Sequence, residues 1–203
     1  MLEFYIEMRK VLMMLCLIIV LTGCSKDNEQ ITPTNSSIGV NELVSYIGKS
    51  PQYVKDNFKN GIIVHEGGTL GKTVLIYQYR TKDNEYRISF SSNKDNEMYS
   101  ILVYGYFNTY SIGIEVYKKE MDCINESIDY VTYRAIYNDK FMGVASFSNR
   151  NEFWDYVSEK DVNNSITETW WIVNDATQYF TIDGTYDRES NKITVLIENK
   201  VYD

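Results

Sequence analysis

Three strand-like runs, 73–80, 85–91 and 99–107, set the tightest limit on what this chain can fold into. The first is mostly β-branched or aromatic, five residues of eight. The second alternates, with Tyr86, Ile88 and Phe90 on one face and Arg87 and Ser89 on the other. A period of two belongs to strands that lean one face on a core. The connections 81–84 and 92–97 are polar and too short for the crossover that a parallel pair requires, so neighbouring strands should pair antiparallel. Lys-Asp-Asn-Glu occurs at 82–85 and again at 94–97. This is turn chemistry; a calcium loop would need alternating ligands and a glycine.

Helical signals precede these strands. Leu43, Val44 and Ile47 form a stripe over 41–47, and Gly48 ends it. Ser50 is a good N-cap, with Pro51 at the first helical position. Val54 and Phe58 lie four apart before Asn60-Gly61. The second half reads less cleanly. Ile112, Ile114 and Val116 alternate like a strand, then Tyr117, Met121, Ile124, Ile128 and Val131 fall at helical spacing, which predicts a strand running into a helix. Runs 133–137 and 141–147 flank Asn138-Asp139, a hairpin signal. Asn149 with Glu152 forms a capping box before a helix whose buried stripe holds Phe153 and Val157. Runs 169–173, 178–185 and 192–198 close the chain. A helical segment followed by three strands thus occurs twice. The expected fold class is α+β: a helix–loop–helix and short helices packed on antiparallel sheet, with a tandem duplication into halves 38–108 and 109–203 as one form of it.

The stretch Ile47-Gly48-Lys49-Ser50-Pro51-Gln52-Tyr53-Val54-Lys55-Asp56-Asn57-Phe58 resembles the helix–loop–helix of β-lactamase-inhibitor-like domains, a fold shared by small outer-membrane assembly lipoproteins. The shared pattern is a glycine, a capping hydroxyl, and a valine four residues after the cap. The glycine that follows the second helix in those domains is displaced here to Gly61. The resemblance covers about 12 residues and the order of elements. It implies a non-enzymatic protein-binding module, although fold alone does not fix function.

The N-terminus carries a second resemblance. Arg9 and Lys10 precede an apolar run, 11–21, and Leu21-Thr22-Gly23-Cys24 follows. The run is too short to span a bilayer, which takes about 20 residues, and it has the form of a signal h-region. The whole resembles a bacterial lipoprotein signal peptide. By that resemblance 1–23 is removed, Cys24 carries the lipid, and the protein is anchored to the outer membrane, with the periplasmic and cell-surface faces both open. Glu3 and Glu7 are unusual ahead of the basic pair, and a start at Met8 would place Met8-Arg9-Lys10 directly before the run. Ser25-Lys26-Asp27-Asn28-Glu29 resembles the export tags of surface lipoproteins and equally reads as a charged linker. Residues 24–37 are polar and suit a flexible tether. Residues 38–203 are then the globular part.

Charge and cysteine content narrow the function. Residues 1–23 hold two acids and two bases, so the net charge of −8 survives their removal. An acidic surface excludes nucleic acid as the expected partner. With Cys16 in the signal and Cys24 acylated, Cys123 remains alone, so no internal disulfide forms. One cysteine and one histidine, His65, cannot make a zinc cluster of the usual ligand types.

Gly67-Gly68-Thr69-Leu70-Gly71-Lys72-Thr73 looks like a phosphate-binding loop, but Gly67 leaves three residues before Gly71-Lys72-Thr73 where four are needed. A strand pattern follows it instead of a helix N-terminus. No nucleotide is expected there. His65 and Glu66 are adjacent, and adjacent strand residues face opposite ways, which argues against an acid–base pair. The 26 acids beyond residue 23 single out no pair for glycoside cleavage. Trp170-Trp171 in a strand places one indole in the core and the other outside. Trp154, Trp170 and Trp171 are the candidate ligand-binding residues. The expectation is a lipid-anchored envelope binding protein without catalytic activity or cofactor, recognising another protein through a Tyr/Trp-rich surface. A glycan-binding lipoprotein using the same rings is the alternative, and a carboxylate-dependent hydrolase is the remote one.

Overall fold

The computed structural model describes residues 39–69, 71–80, 84–139, 143–160, 165–173 and 178–201. The lipobox, the tether and most of the first connection, 81–83, lie outside the described residues. Among those described, nine strands form one antiparallel sheet. They are β1 (Ile62–Gly67), β2 (Val74–Arg80), β3 (Asn84–Ser92), β4 (Met98–Phe107), β5 (Thr132–Asp139), β6 (Gly143–Phe147), β7 (Ser165–Val173), β8 (Gln178–Asp187) and β9 (Lys192–Val201). Their spatial order is β1-β2-β3-β4-β9-β8-β7-β5-β6. Four helices accompany them: α1 (Val40–Val44), α2 (Pro51–Asn57), α3 (Tyr110–Ser127) and α4 (Arg150–Ser158).

This corrects the α+β expectation and its duplication. The molecule is dominated by one continuous sheet, and the two halves do not close sheets of their own. β4 and β9 pair from Ser100↔Glu198 through Tyr106↔Lys192 without a break, and their core residues Ile101, Val103, Ile193, Val195 and Ile197 are all buried. The element order also fails to repeat. Both helices of the first half precede its strands, whereas the hairpin β5–β6 separates α3 from α4.

Register explains the layering. One row of residues crosses all nine strands: Ile63, Tyr77, Ile88, Val103, Val195, Gly184, Glu168, Ala135 and Phe147. Five of these, Tyr77, Ile88, Val103, Val195 and Ala135, belong to the hydrophobic core, and Glu168 is buried among them. The helices cover this face. Phe58, at the end of α2, meets Tyr77 and Phe90 edge to face at 4.8 and 5.2 Å. The Tyr117 hydroxyl of α3 donates to the Gly184 carbonyl at 3.0 Å. A Cβ at Gly184 would collide with Met121, so glycine is what lets α3 lie this close to β8.

Local chemistry matches several elements. Ser50 Oγ accepts the Tyr53 amide at 3.2 Å, with Pro51 opening α2. Asn149 Oδ1 accepts the amides of Asn151 and Glu152 and caps α4. Two expectations are corrected. The predicted strand at Ile112–Val116 is the first part of α3, because Gly113, Val116, Tyr117, Glu120, Met121 and Ile124 make a continuous buried helical stripe. Asn138 and Asp139 belong to β5, not to the turn. The apolar stretch Ile62-Ile63-Val64 forms an edge strand, and the glycine-rich segment after it turns into β2. There a Cβ on Gly68 would collide with the Lys72 carbonyl.

Candidate functional site

Alternation leaves the second face of the sheet without a helical layer among the described residues. Along β4, Ile101, Val103 and Phe107 point into the core, so Leu102, Tyr104 and Tyr106 share the opposite face. Leu102 sits directly opposite Leu196 of β9, and Tyr104 between Arg87 of β3 and Thr194 of β9. Tyr106 lies between Glu85 and Lys192 and is 43 % exposed. The Lys192 ammonium stands 4.3 Å from the Tyr104 ring centroid and 5.8 Å from that of Tyr106. Arg80 Nε and Arg87 Nε reach the Glu85 carboxylate at 2.9 and 3.5 Å. Ile76 and Ser89 continue the Leu102–Leu196 row toward β1, and Asp183, Thr169 and Arg134 continue it toward β5.

The result is a half-exposed apolar and aromatic centre inside a charged margin. Among the described residues, five basic side chains of the strands occupy this face (Arg80, Arg87, Arg134, Lys192 and Lys200), and four acids share it (Glu85, Asp183, Asp187 and Glu198). It is close to neutral in a chain of net charge −8, so the excess acid lies elsewhere. Apolar centres with tyrosine and arginine, ringed by polar residues, are the anatomy of protein interfaces.

The three tryptophans separate. Trp170 is fully buried and packs on Tyr133 at 5.4 Å, so it presents no surface. Trp171 is half-buried on the helix-free face, opposite Thr181 and Thr132. It joins the candidate surface at the β7 end. Trp154 lies on the helical side. Lys118 and Arg150 stand 5.1 and 5.8 Å from its ring, and Phe153 and Tyr117 pack on it. It is half-buried, with Lys118 exposed beside it, and packs against a charged network on that side.

That network centres on Glu168, which has no exposed side-chain surface. Its Oε2 accepts from Arg150 Nε at 2.8 Å and from the Tyr133 hydroxyl at 2.7 Å. Arg150 Nη1 also donates to Asp122 at 2.7 Å. Burial pushes the Glu168 carboxyl above its ordinary value, while the Arg150 guanidinium pulls the other way. The arrangement clamps α3 and α4 to β5 and β7. Glu168 is closed to any substrate in this arrangement.

The remaining sequence candidates stand apart. His65 and Glu66 are exposed on β1 and pair with Ile76 and Leu75, residues of opposite faces. Glu66 is bound by Lys55 at 2.9 Å. The glycine-rich loop lines a shallow open depression with Lys72 and Thr73, and strand β2 follows it as the sequence predicts. Cys123 is half-buried, and burial pushes its thiol up, away from reactivity. No cluster of three or more His, Cys, Asp or Glu that would hold a metal occurs among the described residues. Sequence reading missed Leu102, Tyr104, Tyr106 and Leu196 as surface residues. The signal was present: once Ile101, Val103 and Phe107 are placed inside, period two puts Tyr104 and Tyr106 outside.

No family model matches the chain, and no curated protein or solved structure is similar to it.

Proposed function

We propose that this is a lipid-anchored protein of the bacterial cell envelope that binds another protein through the helix-free face of its sheet. The observation that carries the reading is the apolar and aromatic centre at Leu102, Leu196, Tyr104 and Tyr106, set in a nearly neutral margin on an acidic molecule. The lipobox resemblance at Leu21-Thr22-Gly23-Cys24 supplies the address. A glycan reading would gain from a row of parallel exposed rings. Tyr104 and Trp171 stand instead in different rows, with β9 and β8 between their strands, and Leu102 and Leu196 fill the space nearer Tyr104. The protein reading is therefore preferred.

The test is photo-crosslinking in intact cells. A photoreactive amino acid replaces Tyr104 in one variant and Lys119, exposed on α3, in another. The reading expects a discrete adduct from position 104 and none from position 119. Adducts of equal yield from both positions, or from neither, would remove it.

A further inference from the structure

The edge of the sheet at β1 has properties that the docking face does not explain. Every residue from Ile62 to Glu66 is exposed. Ile62, Ile63 and Val64 are three of the eight large hydrophobic side chains exposed among the described residues, and they are consecutive. Among the described residues β1 pairs only with β2, so its outer main-chain groups face away from the sheet. Proteins commonly blunt such an edge with lysine, proline, an inward charge or a bulge. No lysine, proline or charge occurs between Ile62 and Val64, but a bulge does: Val64 has no partner on β2, while Ile63 and His65 face Tyr77 and Ile76. It places another apolar residue on the edge instead of a charge. The far edge is different. β6 is five residues long, begins at Gly143, and exposes one large apolar side chain, Val144.

We propose that β1 is the pairing edge of a homodimer, in which the β1 strands of two copies run antiparallel and join two nine-stranded sheets. The strand is complementary to itself. Its apolar run is flanked by Lys59 on the N-terminal side and Glu66 on the C-terminal side. Antiparallel self-pairing lays apolar on apolar and brings the lysine end of each copy to the glutamate end of the other. Glu66 already holds Lys55 of its own copy at 2.9 Å, yet its side chain stays about half exposed, so Lys59 of the other copy approaches a carboxylate that is still open to it. A two-fold axis through this edge uses the same patch on both copies, as closed dimers do. It also keeps the all-antiparallel pattern of the sheet. The Tyr104–Tyr106 face stays free, so dimerisation and docking are separable.

The experiment uses the full chain with Cys16, Cys24 and Cys123 replaced by Ala, and single cysteines at Ile63, Val144 or Val131. The latter two are 69 % and 70 % exposed against 42 % for Ile63, so random collision favours them. Under mild oxidation, Ile63→Cys is expected to form disulfide-linked dimers several-fold faster than Val144→Cys or Val131→Cys. In sedimentation, the chain without these cysteines is expected to run as a dimer and Ile63→Lys as a monomer. Equal oxidation rates at the three positions overturn the proposal. So does a parent chain that stays monomeric in sedimentation, or an Ile63→Cys variant that cross-links in cells only to a different protein.

Discussion

Over β2 and β3 the helical layer is seated by rings. Tyr46 of the segment after α1 and Phe58 at the end of α2 meet Tyr77 and Phe90 in a mutually edge-to-face cluster, with centroids 4.8 to 5.8 Å apart. Burial, with Glu42 close by, pushes the Tyr46 hydroxyl up to about 12, so it is uncharged in ordinary conditions. Over β5 and β7 the layer is seated by charge, through Asp122, Arg150, Glu168 and Tyr133. Rings tolerate salt and pH, and their attraction is spread over many weak contacts. A buried ion pair is conditional. It adds little beyond an apolar pair of the same shape, yet losing one partner is severe. The helix-free face lies across the sheet from both, so changes there should leave both kinds of seating intact.

The sharpest way to break this contrast is Arg150→Met. It leaves Glu168 buried without its cation, and a loss of about 3–5 kcal/mol is expected in denaturant unfolding. Adding Glu168→Leu should restore most of that loss. A double variant no more stable than the single one would show that the network contributes more than mutual neutralisation. Phe90→Ala, in the ring cluster, should cost about 3–5 kcal/mol through the cavity it leaves, with no recovery from any second charge change. Tyr117→Phe strips the donor from the Gly184 carbonyl and should cost about 1–3 kcal/mol, seen in thermal unfolding.

The pH dependence separates the two regions further. The Glu168 carboxyl is raised in the folded state, so its contribution is fully present below the ordinary carboxylate value. It is lost as pH rises through the raised value. Glu168→Gln should therefore flatten the stability profile from the ordinary carboxylate range upward. An unchanged profile would mean that Glu168 does not titrate there. The smallest effect expected is at Ser50, where Ser50→Ala removes the α2 cap and should cost about 1 kcal/mol in urea unfolding.

Much of the sheet was legible because alternation is a local signal. Tyr86, Ile88 and Phe90 are buried on one side of β3 as their period predicts. Ser50 and Asn149 cap helices because their side chains act within three residues. What was not legible depends on distant pairing. Nothing near residue 103 or 195 announces that β4 and β9 adjoin, since that pairing joins residues 92 positions apart. Glu168 in a strand looks like an outward-facing acid until Arg150 and Tyr133 are brought to it. The Ile112–Val116 alternation misled because half-buried helix positions can mimic period two over five residues. For the site, the sequence drew attention to tryptophan. One of the three is in the core and another packs, half-buried, beside the Glu168 network. The tyrosines of β4 carry the surface instead.

The most direct test of the docking face compares labelling in cells and in solution. Single cysteines at Tyr106, on the helix-free face, and at Lys119, on α3, are placed in the Cys123→Ala chain and treated with a maleimide that reaches the envelope. Both should react quickly in the purified protein. In intact cells Tyr106→Cys should be protected several-fold while Lys119→Cys reacts as before. Equal reactivity of the two positions in cells, matching their rates in solution, would contradict a partner bound on that face.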